Sequence, residues 1–584
     1  MKFTKFCKNA ALLGMAGAMT FAAVNCGPGY APDPNAGKTK ILVSLYAGGH
    51  GTAYFEQLVA DFMAKNPEYS EKYWIDYVAE KKHPGLVEEE LKENPGYKQM
   101  YIMAQNNIVS LAYQGLLEDV SDVVYSKVNN ESITLQEKMF RFDEWKDIYS
   151  VRGNGLYALP YADSIGGWVY DHQMFLDNDW YSYAGDEDVA DLEAQGITYT
   201  DEEGKLYFVS STGATNYKEG DRILTRGKDG KFGTYDDGQP ITEAEFDAMV
   251  KKIALTAKPF ISSGQIGSYA QYIVSSVVGQ KGGVEEWETY FTYDSKGKPV
   301  KLVDGMEEVI TIENGYKVSG MQSIYDAYEW IAKYFDSRDS VKAKYTHGAT
   351  ADGAINHYDA QSLFLLGYKN EETNPRSAML LEGAWWEYEA RVTFNELGKR
   401  DVERGYGVRD YRYMLLPNFE NQVNEKSVFT AGESGVMIVA HDTDTERLKV
   451  TKAFLGYMAS DEAVKTFTKV TGCPMPYDIE FTEQDKAELT PFARNMSELY
   501  YDSENIDIVR PNFAMLWSPL GYTSDRNHDG YFLPKINDTE QTHPYNTVRK
   551  YSLEQIKTGL AAFYNAKDWA SYIKQAQDNG FYLD

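Results

Sequence analysis

At 584 residues, with 43% hydrophobic and 14% aromatic side chains, the chain is long enough for more than one domain and too apolar for wholesale disorder. Its formal net charge of -29 argues against nucleic acid as a partner, because that binding depends on Lys and Arg neutralising phosphates. Three cysteines, Cys7, Cys26 and Cys473, supply no disulfide framework.

The chain opens with three lysines (Lys2, Lys5, Lys8) and an apolar run from Ala10 to Val24. That layout reads as a bacterial export signal over residues 1–25, since the run is shorter than a membrane span. Cys26 follows, and Gly27, Pro28, Gly29 and Pro32 make residues 26–38 a flexible tether. A cysteine in that place reads as a lipidation site, which would hang the protein on the outer face of the membrane. Ala23 and Asn25 depart from the usual lipoprotein pattern. The alternative is ordinary signal-peptidase cleavage near Ala22 or Ala23 and a freely secreted protein. No second long apolar run follows, so no membrane span is expected.

Lys40–Tyr46 (KILVSLY) reads as a buried strand, and Ala47–Gly51 as a flexible turn. From Thr52, apolar residues at Phe55, Leu58, Val59, Phe62 and Met63 give a helical stripe that ends at Asn66-Pro67. Trp74–Val78 reads as the next strand. A strand, helix and strand at this spacing form a βαβ unit, and ligands of such parallel sheets bind beyond the strands' carboxyl ends. The Gly48–Gly51 loop falls there, but it is not GxGxxG and assigns no nucleotide.

Tyr101–Leu117 reads as strand, loop and helix, and Leu156–Tyr170 as two short strands around a Pro and Gly interruption. Residues 200–240 are polar and Gly-rich, and 288–318 look like hairpins with a Lys-Gly-Lys-Pro turn; both read as decoration on a second lobe. Leu448–Lys469 is a helical region stopped by Gly472 and Pro474, and Ser552 with Gln555 forms a capping box. Cys473 reads as a small buried thiol.

Catalytic and metal motifs are scarce. The eight histidines form no HExxH or HxH, no CxxC occurs, and there is no GxSxG elbow or P-loop. Asp525, Asn527, Asp529 and Gly530 match the first half of an EF-hand calcium loop, but the twelfth position is Ile536 instead of Glu. The two readings are structural calcium, with Asp538 substituting, and an Asp/Asn/Gly turn. Residues 229–238 carry a weaker version of the same signal. No other cofactor is implied. The 46 tyrosines and 10 tryptophans supply flat apolar faces with hydrogen-bonding tips, a composition suited to sugar rings.

Four segments together resemble the extracellular solute-binding proteins of sugar ABC importers, the maltose-binding-protein class. They are the opening strand, loop and helix; Gly155–Pro160 leading to Gly167-Trp168-Val169-Tyr170-Asp171; Met379–Trp386 (MLLEGAWW); and Gly435–Val439 through Ala453–Met458 to Thr471–Pro476. They occur in family order. The chain is longer than usual members, its 200–320 and 478–545 regions have no counterpart, and Asp171 replaces the common Asn.

The resemblance implies an α/β, two-lobe periplasmic-binding-protein-like fold (type II) with a central ligand cleft and hinge crossings. Residues 39–162 and 430–475 would form the N-terminal lobe; 163–429 and 476–584 would form the C-terminal lobe. It implies a monomer that does no chemistry and binds an oligosaccharide by hinge closure for ABC permease transmembrane subunits. It places Trp385 against a sugar ring, with Trp386 adjacent and Trp168 on the crossing strand. Asp163 and Ser164 at the crossing, Gly49 and His50 at the sheet edge, Gln105 and Asn106 after the Tyr101 strand, and Glu433 near the second crossing complete the expected contacts. The alternatives are a secreted carbohydrate-active enzyme, for which no carboxylate pair stands out, and a binding protein for another solute such as a peptide.

Overall fold

The structure, a computed structural model, describes residues 34–581 except 82–83, 104–107, 152, 185–197, 201–205, 209–221, 368–375, 512–530, 538, 542 and 563–565. The leader with Cys26, Gln105 and Asn106, and the Asp525–Asp529 motif lie outside the described residues.

Nine strands form one mixed sheet that runs through both lobes. They are β1 (Thr39–Tyr46), β2 (Tyr73–Glu80), β3 (Met100–Met103), β4 (Leu159–Asp171), β5 (Lys258–Ile261), β6 (Ser377–Gly383), β7 (Tyr411–Met414), β8 (Ser427–Val439) and β9 (Ile506–Val509). The main order is β2-β1-β3-β8-β4-β6-β5; β7 also pairs with β4, and β9 with β8. In the N-terminal lobe β1 is parallel to β2 and β3. In the C-terminal lobe β6 is parallel to β5 and antiparallel to β4. This is the two-lobe α/β architecture expected.

The helix after β1, Ala53–Lys65, buries Tyr54, Phe55, Leu58 and Phe62. Phe55 and Phe62 meet Phe454 of the helix Thr445–Met458 at 5.7 and 5.1 Å between ring centroids. Each buried apolar side chain of this kind stabilises the lobe by about 1.5–3 kcal/mol. Leu448–Lys469 divides into two helices, Thr445–Met458 and Asp461–Thr471, because Ser460 caps the second through the Ala463 N–H. Gly472 ends it at φ 75°, and Cys473 is buried and makes no disulfide among the described residues. Ser552 and Gln555 make the expected capping box.

Two strands of 13 residues, β4 and β8, pass from one lobe to the other. The interruption read at 156–170 is absent: Pro160 and Gly166-Gly167 sit inside one continuous strand. Pro160 is tolerated there because it lies opposite Val436, at the edge of a register shift where the ladder is already broken. A second shift falls between Ala431 and Glu433. Such irregularities bend and twist a strand locally. A third passage follows Gly472: the Asp163 N–H donates to the Pro474 carbonyl at 3.2 Å, and the Tyr477 hydroxyl to that of Pro160 at 2.7 Å.

The regions without a family counterpart are not all decoration. β5 and the helix Ser268–Gly282, buried from Tyr269 to Gln280, belong to the C-terminal core. The helix Pro491–Tyr501 and β9 close the sheet beside β8. Of 288–318, the first residues end the helix Val284–Thr292 and only Pro299–Lys301 with Glu307–Val309 forms a hairpin. In 229–238, Asp236 accepts the Lys228 and Asp229 N–H groups and Asp237 that of Gly233, so these carboxylates close their own turn. Among the described residues no group of three His, Cys, Asp or Glu is placed to hold a metal, and no helix is long and apolar enough to cross a membrane.

Candidate functional site

The cleft is built where the β1 loop of one lobe meets the loop after β6 of the other. Gly49 lies against the Trp385 indole so closely that any Cβ there would overlap it. Gly51, at φ 62°, faces the Tyr388 ring, with an added Cβ only 2.8 Å from it. The missing side chains therefore let N-terminal backbone rest on C-terminal aromatics. Trp385 is 4% exposed. Tyr269 and Tyr272, from the first turns of the helix after β5, flank it at 6.3 and 6.5 Å.

Tyr272 also covers the crossing itself. Its ring occupies the space that side chains at Gly166 of β4 and Gly432 of β8 would need. One C-terminal aromatic thus reports on both crossing strands. Beyond it, His357 stacks on Tyr269 at 5.8 Å and 22°. Gln361 donates to Glu382 at 3.1 Å and to Glu389 at 2.8 Å, holding both carboxylates.

His50 completes the wall. It is 3% exposed, sits 5.6 Å from Phe467 and 6.4 Å from Trp385 by ring centroids, and its Nε2 is 3.1 Å from the Ser164 hydroxyl of β4. Its Nδ1 is buried without a partner. Burial, and then the charge of Lys81 just past β2, push its pKa down to about 4. His172 and His543 are lowered by burial to about 3 and about 4. An unfolded imidazole takes its proton near 6.5, so the unfolded chain binds more protons between that pH and about 4. Stability is therefore full above 6.5 and falls as the pH drops toward 4. His50 accounts for about 3 kcal/mol of the loss at roughly 1.4 kcal/mol per pH unit. Urea unfolding at pH 7 and pH 4 is expected to show this drop, and His50→Asn to make it shallower. An unchanged slope would remove His50 from the account.

The sequence candidates separate in the structure. Gly49, His50, Ser164 and Trp385 come together at the lobe junction. Trp168 does not: it is 1% exposed and packs on Phe246, Phe260 and Trp330 in the C-terminal core. Trp386 is likewise enclosed by Phe364, Phe394, Tyr411 and Phe492. Both are core residues, because their strand and turn positions point them away from the cleft.

Asp163 is also reassigned. It is fully buried, its Oδ2 accepts the Tyr500 hydroxyl at 2.6 Å, and the Arg510 guanidinium pairs with it. That carboxylate anchors the crossing instead of facing a ligand. Glu433 lies in β8, and its side chain is outside the described residues. Sequence reasoning missed Tyr269, Tyr272, Tyr388 and His357. The available signal was a second strand and loop, Lys258–Ile261 and Ser262–Gly267, leading into a helix as β1 does.

No protein-family model matches the chain, and no curated protein matches it in sequence. Solved structures match it in shape. The apo form of RafE from Streptococcus pneumoniae superposes with a TM-score of 0.50 at 16% identity, covering 91% of this chain and 98% of that one. A probable secreted solute-binding lipoprotein from Streptomyces coelicolor gives 0.51 at 11% identity, covering 91% and 99%. The class defined by fold and cleft is thus the two-lobe solute-binding-protein fold. At these identities the likeness speaks to the fold alone.

Proposed function

We propose that this chain is the substrate-binding lipoprotein of an ABC importer and captures an oligosaccharide by hinge closure. The observation that carries the reading is the aromatic cluster at the crossing: Trp385 and Tyr388 lie against the glycine loop after β1, with Tyr269 and Tyr272 beside Trp385. Flat apolar rings with hydroxyl tips suit the CH faces and hydroxyls of sugars. Closing one lobe on the other lets a ligand touch both only in the closed form, so ligand shifts the hinge population. The sequence resemblance to sugar importers supports the same reading. Cys26 would tether the protein to the outer face of the membrane, a permease would receive the closed monomer, and the chain itself would do no chemistry.

A thermal-shift screen of residues 27–584 against oligosaccharides, with and without calcium, tests this. A ligand at about 100 times its Kd stabilises the native state by roughly 2.7 kcal/mol. Trp385→Ala is expected to weaken binding by at least ~30-fold, the loss of a well-packed aromatic anchor. The glycan should be recovered intact by chromatography; cleavage would point to an enzyme, and a response only to peptides would overturn the sugar. A calcium-dependent shift lost in Asp525→Ala would assign the Asp525, Asn527 and Asp529 loop a structural ion.

A further inference from the structure

At the end of β4 away from the crossing, Arg376 and Arg409 pair with one carboxylate and Arg404 stands beside them. β4 runs from Ser164 at the crossing to Asp171, a path of roughly 20 Å at about 3.3 Å per residue. Asp171 is fully buried and accepts Arg376 Nη2 at 2.7 Å and Arg409 Nε at 2.8 Å. Arg404 joins them from the turn Val402–Arg404 but makes no bond to Asp171. It donates to the Leu365 carbonyl, next to the Phe364 carbonyl that takes Arg376 Nε at 3.4 Å. The last turn of the helix His357–Leu366 thus holds two guanidinium groups side by side.

This arrangement leaves donors unused. Arg404 Nε is buried without a partner. The Tyr411 hydroxyl is buried without a partner too, in a residue only 1% exposed. Asp171, Arg376, Arg404 and Arg409 all act electrostatically on that hydroxyl. Among the described residues, the charges that act on the cluster are these three cations, Asp171, and Asp177 near Arg409. Burial and the neighbouring cations Arg376 and Arg409 hold Arg404 below the usual guanidinium range. Among the described residues, positive charge therefore exceeds negative charge at this spot of a chain whose formal net charge is -29. An unpaired buried donor and crowded like charges both cost stability.

We propose that Arg376, Arg404, Arg409 and Tyr411 form a binding site for a small oxyanion, phosphate or sulfate. The guanidinium fork matches oxyanion geometry, and charge-assisted bonds are the strong ones. Arg404 Nε and the Tyr411 hydroxyl supply two donors that have no partner among the described residues. The bound anion ties together the end of β4, the segment before β6 and the segment before β7. It is a structural ligand, separate from the cleft and from the glycan.

The test uses the full mature chain, dialysed into chloride buffer and titrated separately with sodium phosphate and sodium sulfate at constant ionic strength. A saturable rise in melting temperature is expected with at least one oxyanion, and the arm that responds at lower concentration names it. Tyr411→Phe should raise the apparent Kd several-fold, Arg404→Gln should abolish saturation, and Trp385→Ala should leave it intact. Should Arg404→Gln fail to fold, Tyr411→Phe and an anomalous selenate peak between the three arginines decide. No saturable response with either anion would assign the counter-charge to the chain's own groups and overturn the site. A response unchanged in Tyr411→Phe, with no selenate peak there, would do the same.

Discussion

Gly49→Val is expected to weaken ligand capture by about two orders of magnitude while leaving both lobes folded. The new Cβ would occupy the space of the Trp385 indole, which belongs to the opposite lobe. In a core such an overlap costs about 1–3 kcal/mol. Here the lobes can escape it by staying apart, so the cost falls on closure and not on folding. If only the closed form holds the ligand, apparent affinity falls with the closed population. A closure penalty of ~3 kcal/mol would weaken binding by roughly 100-fold. Calorimetry with the best glycan from the screen would read the affinity, and small-angle scattering the shape. The wild type should contract on binding and the variant should not. Full affinity with normal contraction would show that the Gly49–Trp385 contact is not part of the bound state.

Arg510→Met should produce the largest loss of stability. Its guanidinium is 6% exposed and pairs with a carboxylate that is fully buried. Removing one partner of a buried ion pair leaves an uncompensated charge and costs roughly 3–5 kcal/mol. The carboxylate belongs to Asp163, whose N–H also binds the third crossing at Pro474, so the damage falls on the hinge. The double variant Asp163→Asn/Arg510→Met should recover much of the loss, because Asn carries no charge and still accepts the Tyr500 hydroxyl. Urea midpoints at neutral pH measure both. A single-variant loss below about 1 kcal/mol, or a double variant as weak as the single, would mean the pair does not anchor the crossing.

These two residues show where reading the sequence stops. Gly49 lies in a loop that its βαβ context places at the sheet's carboxyl edge, and the structure sets it against Trp385. Asp163 was read the same way, from its place after Pro160, and was consumed by Arg510, 347 residues further along. No local pattern connects the two. The same limit separates the three tryptophans. Trp168, Trp385 and Trp386 all lie in motif segments, yet only Trp385 reaches the lobe junction. Trp385 and Trp386 are neighbours, so which of them faces the cleft depends on one turn's backbone direction.

What the sequence by itself determined is local or periodic. The βαβ opening, the apolar stripe of the first helix, the capping box at Ser552 and the stop at Gly472 follow from spacing and from single-residue preferences. The order of the family-like segments carried the two-lobe class. Only the tertiary structure decided that β4 runs unbroken through Pro160, that β5 and the Ser268–Gly282 helix are core, and that Tyr269 and Tyr272 flank Trp385. Each of these depends on partners more than a hundred residues away, and packing between distant segments leaves no period for a sequence to display.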